Sequence, residues 1–208
     1  MQRRATSNDE GWLLSYADLI TNLLIFFAML LAAAQISKTK MQQIQKELSG
    51  IEQPQSLASI QKQIEAQIAK EGLQDMVRTD LTDEGLKVLL DSGIVFDSGS
   101  AVIREEQAPI LDKMLGTLVP YTEKYAFAVE GHTDSNPIGL GSLYKTNWEL
   151  STDRANAVRS RLEGVGVGQG QIRVEGYADT VSLPEADLAG LDLEQRLARH
   201  RRVIVRIF

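Results

Sequence analysis

The chain has 208 residues, 43% of them hydrophobic and 24% charged, with a net charge of −6 at pH 7. That length holds one ordinary domain plus extra elements, and the acidic balance argues against nucleic acid as the main partner. There is no cysteine, which excludes disulfides, thiol catalysis and cysteine-ligated zinc or iron–sulfur sites but does not fix the compartment.

After a short tail, residues 1–11, comes an apolar run over residues 12–36, Trp12 to Ile36. About 20 helical residues suffice to cross a bilayer core, so the run predicts a membrane helix. Its polar residues are Ser15, Asp18, Thr21 and Asn22. Their spacing of three, three and four keeps them on one helical face, a stripe with no use against lipid. A signal peptide is the competing reading, with Arg3 and Arg4 as its basic region and "LLAAAQ" as a cleavage site. Against it stand the acidic "SNDEG" before the run and the aspartate within it. A carboxylate at that depth costs about 2.5–3.5 kcal/mol on insertion scales, and a disposable signal gains nothing from one. Basic residues flank the run on both sides, so they do not set its orientation.

Residues 37–72 read as a helical connector. Met41, Ile44, Leu48 and Ile51 follow a heptad-like spacing, Pro54 interrupts it, and Leu57, Ile60, Ile64 and Ile68 form a second stripe that ends at Gly72. Three readings stay open: amphipathic helices folded onto the next domain, a parallel homodimer seam, or a plug over an ion path.

Residues 73–208 alternate strand and helix patterns. "DMVRTDLT" and "GLKVLLDSGIVF" read as strands joined at "DEG", Glu105–Leu118 as a helix, and "YAFAVEGH" as a strand. "NWELSTDRANAVRSRLEG" reads as a helix that starts at Asn147 or Ser151. "QIRVEGYAD" follows as a strand, "LDLEQRLARH" as a helix and "RRVIVRIF" as a strand. The fold class is α/β: a sandwich with helices on one face of a sheet. "EGHTDSNPIG" lies at a strand end, where ligand sites gather in such folds. His132, Asp134 and Ser135 crowd into one loop, and no phosphate-loop or metal-spacing motif occurs, so no enzyme is expected.

The ordered set "GIVFDSGSAVI", "EGHTD", "NWELSTDRANAV", "IRVEGYAD" and "RHRRVIVRI" resembles the OmpA-like peptidoglycan-binding domain. The resemblance implies that Asp134 and Arg154 hold the diaminopimelate of the peptide stem. Thr133, Asn147, Leu150 and Ser151 would shape the pocket, with Arg201 and Arg202 in support. The chemistry suits a zwitterion: a carboxylate for the ammonium and a guanidinium for the carboxylate. Taken without the resemblance, Asn147 and Ser151 are helix caps, Asp134 and Arg154 a structural ion pair, Arg201 and Arg202 surface charges, and His132 a satisfied strand-end histidine. Two loops depart from the family pattern: "SNPIGLGSLYKT" is long, and "TVSLPEADLAGLD" replaces a proline-and-asparagine stretch.

"WLLSYADLITNLLIFFAML" resembles the membrane helix of MotB-type stator subunits. Asp18 falls on the ion-carrying aspartate, with Thr21 beside it. The resemblance implies a single-pass inner-membrane protein with a cytoplasmic N-terminus and a periplasmic C-terminal domain. Its partners would be a polytopic MotA-like membrane protein, a second copy of the chain and peptidoglycan. No resident cofactor is implied; the cargo is H+ or Na+, and "SYAD" is nearer the proton type. The ZorB subunit of Zorya anti-phage systems, with its ZorA partner, shares this architecture. A passive OmpA-like wall anchor without ion transport is the alternative of another class.

Overall fold

The computed structural model describes residues 11–34, 56–139 and 142–208. The chain divides into two compact units, Met1–Gly50 and Ile51–Phe208.

In the first unit, helix α1 spans Gly11–Ala34, a rise of about 36 Å at 1.5 Å per residue. It is long and apolar enough to cross a membrane, and none of Gly11–Leu30 is buried within the chain. Two members of the polar stripe satisfy themselves. The Ser15 hydroxyl donates to Gly11 O at 3.3 Å, and Thr21 Oγ1 donates to Ala17 O and Asp18 O at 2.9 and 3.0 Å. Asp18 and Asn22 remain as the outward polar groups. The first connector stripe, Met41 to Ile51, lies outside the described residues.

The second unit opens with α2, Leu57–Glu71. Ser56 caps its start and Gly72 ends it in the left-handed conformation, φ 70°. Ile60, Ile64 and Ile68 are 0, 1 and 6% exposed and belong to the core beneath the sheet. Polar bonds pin the flanks: Thr79 donates to Glu65 at 2.8 Å, Tyr121 to Gln63 at 2.6 Å and Lys113 to Glu71 at 2.6 Å. The second stripe is therefore spent inside the domain and does not form a dimer seam. The domain includes α2, ahead of the boundary expected at residue 73.

Strands β1 (Val77–Thr82) and β2 (Gly85–Asp91) form the expected hairpin. The expected strand through Phe96 stops early. The Asp91 carboxylate accepts the Gly93 N–H at 2.8 Å, which turns the chain into a short helix, α3 (Ser92–Val95). Helix α4 covers Ala108–Gly116, shorter than the expected Glu105–Leu118, with a proline in its first turn and a 3-10 turn, Val119–Tyr121, after it. Strand β3 (Phe127–His132) leads by the long loop to α5 (Asn147–Gly164), then β4 (Ile172–Gly176), α6 (Glu185–Leu188), α7 (Leu193–His200) and β5 (Arg202–Ile207). Thr146, rather than Asn147 or Ser151, caps α5 by accepting the Glu149 N–H at 3.2 Å.

The five strands form one sheet in the order β1-β2-β5-β3-β4, antiparallel throughout except for the parallel β3–β4 pair. Helices α2, α4 and α5 cover one face, as expected of an α/β sandwich; α2 lies over β1 and β2, α5 over β3 and β4. Alternation sets the two faces. Leu86, Val88, Leu90, Phe127, Val129, Val203, Val205 and Ile207 point to the helices and are buried. On the other face Arg206 pairs with Glu130 and, at 3.6 Å, with Glu175.

Helix α5 sits unusually close to the sheet. A Cβ on Gly131 would fall 1.9 Å from Ser151 O, and one on Gly176 would fall 2.1 Å from Thr152 Oγ1. Gly131→Ala therefore drives α5 off the sheet and should cost about 3 kcal/mol or more in urea unfolding. Gly116→Ala, where nothing lies within 4 Å, should be neutral or stabilise by up to about 1 kcal/mol.

Candidate functional site

A cleft of about 410 Å³ opens where β2, β3 and β5 end against the start of α5. Thr133, Asp134, Asn147, Leu150, Arg154 and Arg201 all line it, so the fold gathers these six sequence-predicted residues. Ser151 and Arg202 are not among its walls.

Arg154 is the unusual member. It rises from the buried side of α5 and is only 4% exposed. Its Nε donates to Ser100 O at 2.8 Å and its Nη2 to Asp97 O at 3.4 Å, and the guanidinium lies over the Phe96 ring, 5.3 Å from the centroid. Among the described residues no carboxylate comes within ion-pair distance of it. Burial and the nearby Arg201 charge, opposed by Asp134, bring its pKa down to about 10, so it remains a cation at neutral pH.

Asp134 is paired with Arg201, not with Arg154: Arg201 Nη1 meets Asp134 Oδ2 at 2.7 Å. The simple Asp134–Arg154 salt bridge is thus absent. The Asn136 backbone N–H donates to Asp134 Oδ1 at 3.2 Å. Asn147 ties the loop down by donating to Asp134 O and Asn136 O at 3.3 and 2.9 Å. The remaining charges at the rim, Arg104 and Asp97, pair with each other at 3.0 Å. Of the three arginines lining the cleft, Arg154 is the one without a counter-ion among the described residues, so the cleft presents one unmatched positive charge beside a partly accessible carboxylate. It suits a ligand head that carries a carboxylate and, close by, a cation.

Ser151 has a different task from the one expected. It is fully buried; its hydroxyl donates to Trp148 O at 3.0 Å and accepts the Ala178 N–H at 3.1 Å. Ala178 has φ 49° and its carbonyl accepts the Thr133 N–H at 2.8 Å. Ser151 therefore clamps the loop after β4 and, through it, sets the position of Thr133. Arg202 is buried too, donating to Val181 O and His200 O at 3.2 and 3.3 Å, and so anchors the acidic loop that departs from the family pattern. Asp97 and Ser100 were not singled out in the sequence, because a backbone carbonyl that holds an arginine leaves no residue-type signature. The "FDSGS" motif was the available signal.

His132 points away from the cleft. It is 2% exposed and stacks on Tyr177 with ring centroids 5.2 Å apart, and neither ring nitrogen has a hydrogen-bond partner among the described residues. It is not the satisfied strand-end histidine expected from the residues taken without the resemblance. Burial, opposed by Glu130 at 3.8 Å and aided by the Arg202 charge, pushes its pKa below the usual value.

Comparison with known proteins places these features in a family. Residues 95–190 match the OmpA family, and residues 2–51 match the family described as membrane MotB of the proton-channel complex MotA/MotB. Motility protein B of Bacillus subtilis is 30% identical over 190 residues, covering 71% of this chain and 72% of that one. Motility protein B of Escherichia coli is 34% identical over 126 residues, 59% of this chain and 40% of that one. Among solved structures, a MotB-like protein from Desulfovibrio vulgaris superposes with a TM-score of 0.63 at 18% identity, over 73% of this chain and 90% of that one. The cell wall anchor of the T6SS from Pseudomonas aeruginosa superposes with a TM-score of 0.59 at 28% identity, over 70% and 96%. These features define a protein with an OmpA-type α/β domain and an N-terminal apolar helix. The chain belongs to the MotB family.

The lowered pKa of His132 makes a signed prediction. A histidine held neutral in the fold contributes stability that is full above its unfolded pKa, near 6.5, and is lost as pH falls from there through the lower folded value. His200, shifted the same way by burial and Arg202, is first replaced by Gln. In that background His132→Phe should flatten the fall in urea midpoint between pH 7.5 and 5.5; an unchanged slope would contradict the assignment.

Proposed function

We propose that the chain is the wall-anchored B subunit of an ion-driven stator, working as a homodimer with a polytopic MotA-like membrane protein. The observation that carries this reading is an aspartate, Asp18, within an apolar helix on the same chain as a cleft shaped for a zwitterion. The match of residues 2–51 to membrane MotB supports it, as does the likeness to motility protein B.

The cleft's ligand is read as the diaminopimelate of the peptidoglycan stem. Arg154 takes the carboxylate by parallel hydrogen bonds, and Asp134 attracts the ammonium. Asn147 and Leu150 form the walls and Arg201 holds Asp134 in place, while Ser151 and Arg202 act from behind by fixing the loop after β4. The wall lies outside the inner membrane, so the domain is periplasmic and the N-terminal tail cytoplasmic. α1 cannot enclose a pore alone and needs partner helices to complete an ion path. Asp18 is the ionisable group that α1 would offer to an ion on that path. Each proton moved through 100 mV yields about 2.3 kcal/mol. Anchoring the domain to the wall keeps the B subunits from turning freely, so partner motion becomes torque. Thr21 keeps its lone pairs open beside Asp18.

A passive wall anchor is the second reading, favoured by the likeness to the T6SS wall anchor. The two part at Asp18. When the chain is co-purified with its polytopic neighbour, Asp18→Asn should abolish ion flux into vesicles while leaving the complex assembled; wild-type flux from the variant would leave only the anchor. Independently, Arg154→Ala should weaken binding to purified cell-wall sacculi about tenfold or more, and unchanged binding would remove the diaminopimelate reading.

A further inference from the structure

The register of the sheet sets Ser92, a residue the resemblance does not account for, in one row with Arg201 and Thr133. Asp91 pairs with Arg202 across β2–β5, and His132 pairs with Arg202 across β3–β5. One step further, Ser92, Arg201 and Thr133 stand side by side, and the Ser92 N–H donates to Arg201 O at 3.0 Å. Alternation turns these three side chains to the face that carries the helices, and all three line the cleft. Arg201 is used by Asp134. Ser92 and Thr133 are 1 and 4% exposed, and neither hydroxyl has a hydrogen-bond partner among the described residues. Leaving a buried hydroxyl without a partner disfavours the fold, and two such groups stand on either side of residue 201 in the row and line one cleft.

We propose that Ser92 is a ligand-binding residue, and that its hydroxyl and that of Thr133 join Asp134 in receiving the ligand's ammonium. This rests on the peptidoglycan reading above. An ammonium has three N–H donors and no acceptor. Asp134 Oδ2 is engaged by Arg201, while Oδ1 carries one bond, from the Asn136 backbone. Oδ1 and the two hydroxyl oxygens make three acceptors for three donors. Arg154 has donors only, so the hydroxyls complete the ammonium's end of the site and leave the carboxylate's end to the guanidinium.

Because the Ser92 hydroxyl is unpartnered in the free protein, its removal affects fold and binding with opposite signs. The full chain in detergent is titrated by calorimetry with L-alanyl-γ-D-glutamyl-meso-diaminopimelate, and with the same peptide lacking the side-chain amine. Ser92→Ala should weaken binding of the first peptide about tenfold or more, leave the second unchanged, and keep or raise the melting temperature. Thr133→Val should behave alike. An unchanged Kd for the amine-bearing peptide, an equal loss with both peptides, or a lowered melting temperature overturns the inference while the reading of the cleft survives. A wild-type chain that binds neither peptide overturns that reading and this inference together.

Discussion

A guanidinium taken out of water without a counter-ion is the constraint around which the domain is arranged. Arg154 is 4% exposed, and an uncompensated buried charge costs several kcal/mol. The fold meets part of that cost with two backbone carbonyls and an aromatic face. Among the described residues no carboxylate meets the rest. Placing those carbonyls requires the chain to leave β2 at Asp91, make the short turn of α3 and pass Phe96 beneath the arginine. Placing the arginine itself requires α5 to lie against β3 closely enough that residue 131 must be glycine.

The same demand orders the neighbouring charges. Asp134 sits within electrostatic reach of Arg154 yet is paired with Arg201, so it lowers the cost of the buried cation without quenching it. Ser151, on α5 one turn before Arg154, clamps the loop whose carbonyl positions Thr133. Helix, loop and strand end are thus locked together around the cleft. The polar network of Glu130, Arg206 and Glu175 on the opposite face lets a sheet with one solvent side hold its register. At the other end of the chain, α1 presents Asp18 where Ser15 and Thr21 have turned their hydroxyls to their own backbone. The Asp18 carboxylate and the Asn22 amide are left as the outward polar groups of that stripe.

Much of this was legible in the sequence, for physical reasons that differ by element. That Asp134, Asn147 and Arg154 share one cleft was readable through the resemblance, whose motifs keep these residues at set places. The strand and helix order followed from alternation and 3.6-residue periodicity. The overrun of β2 was not legible, because an aspartate that accepts its own chain's N–H looks like any strand residue until the turn forms. The isoleucine stripe of α2 was ambiguous, since spacings of three and four serve a coiled coil and a sheet-packed helix alike. The partner of Asp134 was hidden by distance along the chain, with Arg201 lying 67 residues away. Ser92 was hidden for a different reason: only the sheet register brings it level with Thr133.

The central claim is that Arg154 is held as an unpaired cation for a ligand carboxylate. A crystal structure of the domain-bearing chain with a diaminopimelate tripeptide tests it most directly. The account predicts the ligand carboxylate in two parallel hydrogen bonds to the Arg154 guanidinium, with the Asp97 and Ser100 carbonyl contacts retained. A ligand bound elsewhere, or an Arg154 that has turned to pair with Asp134 in its presence, would contradict it.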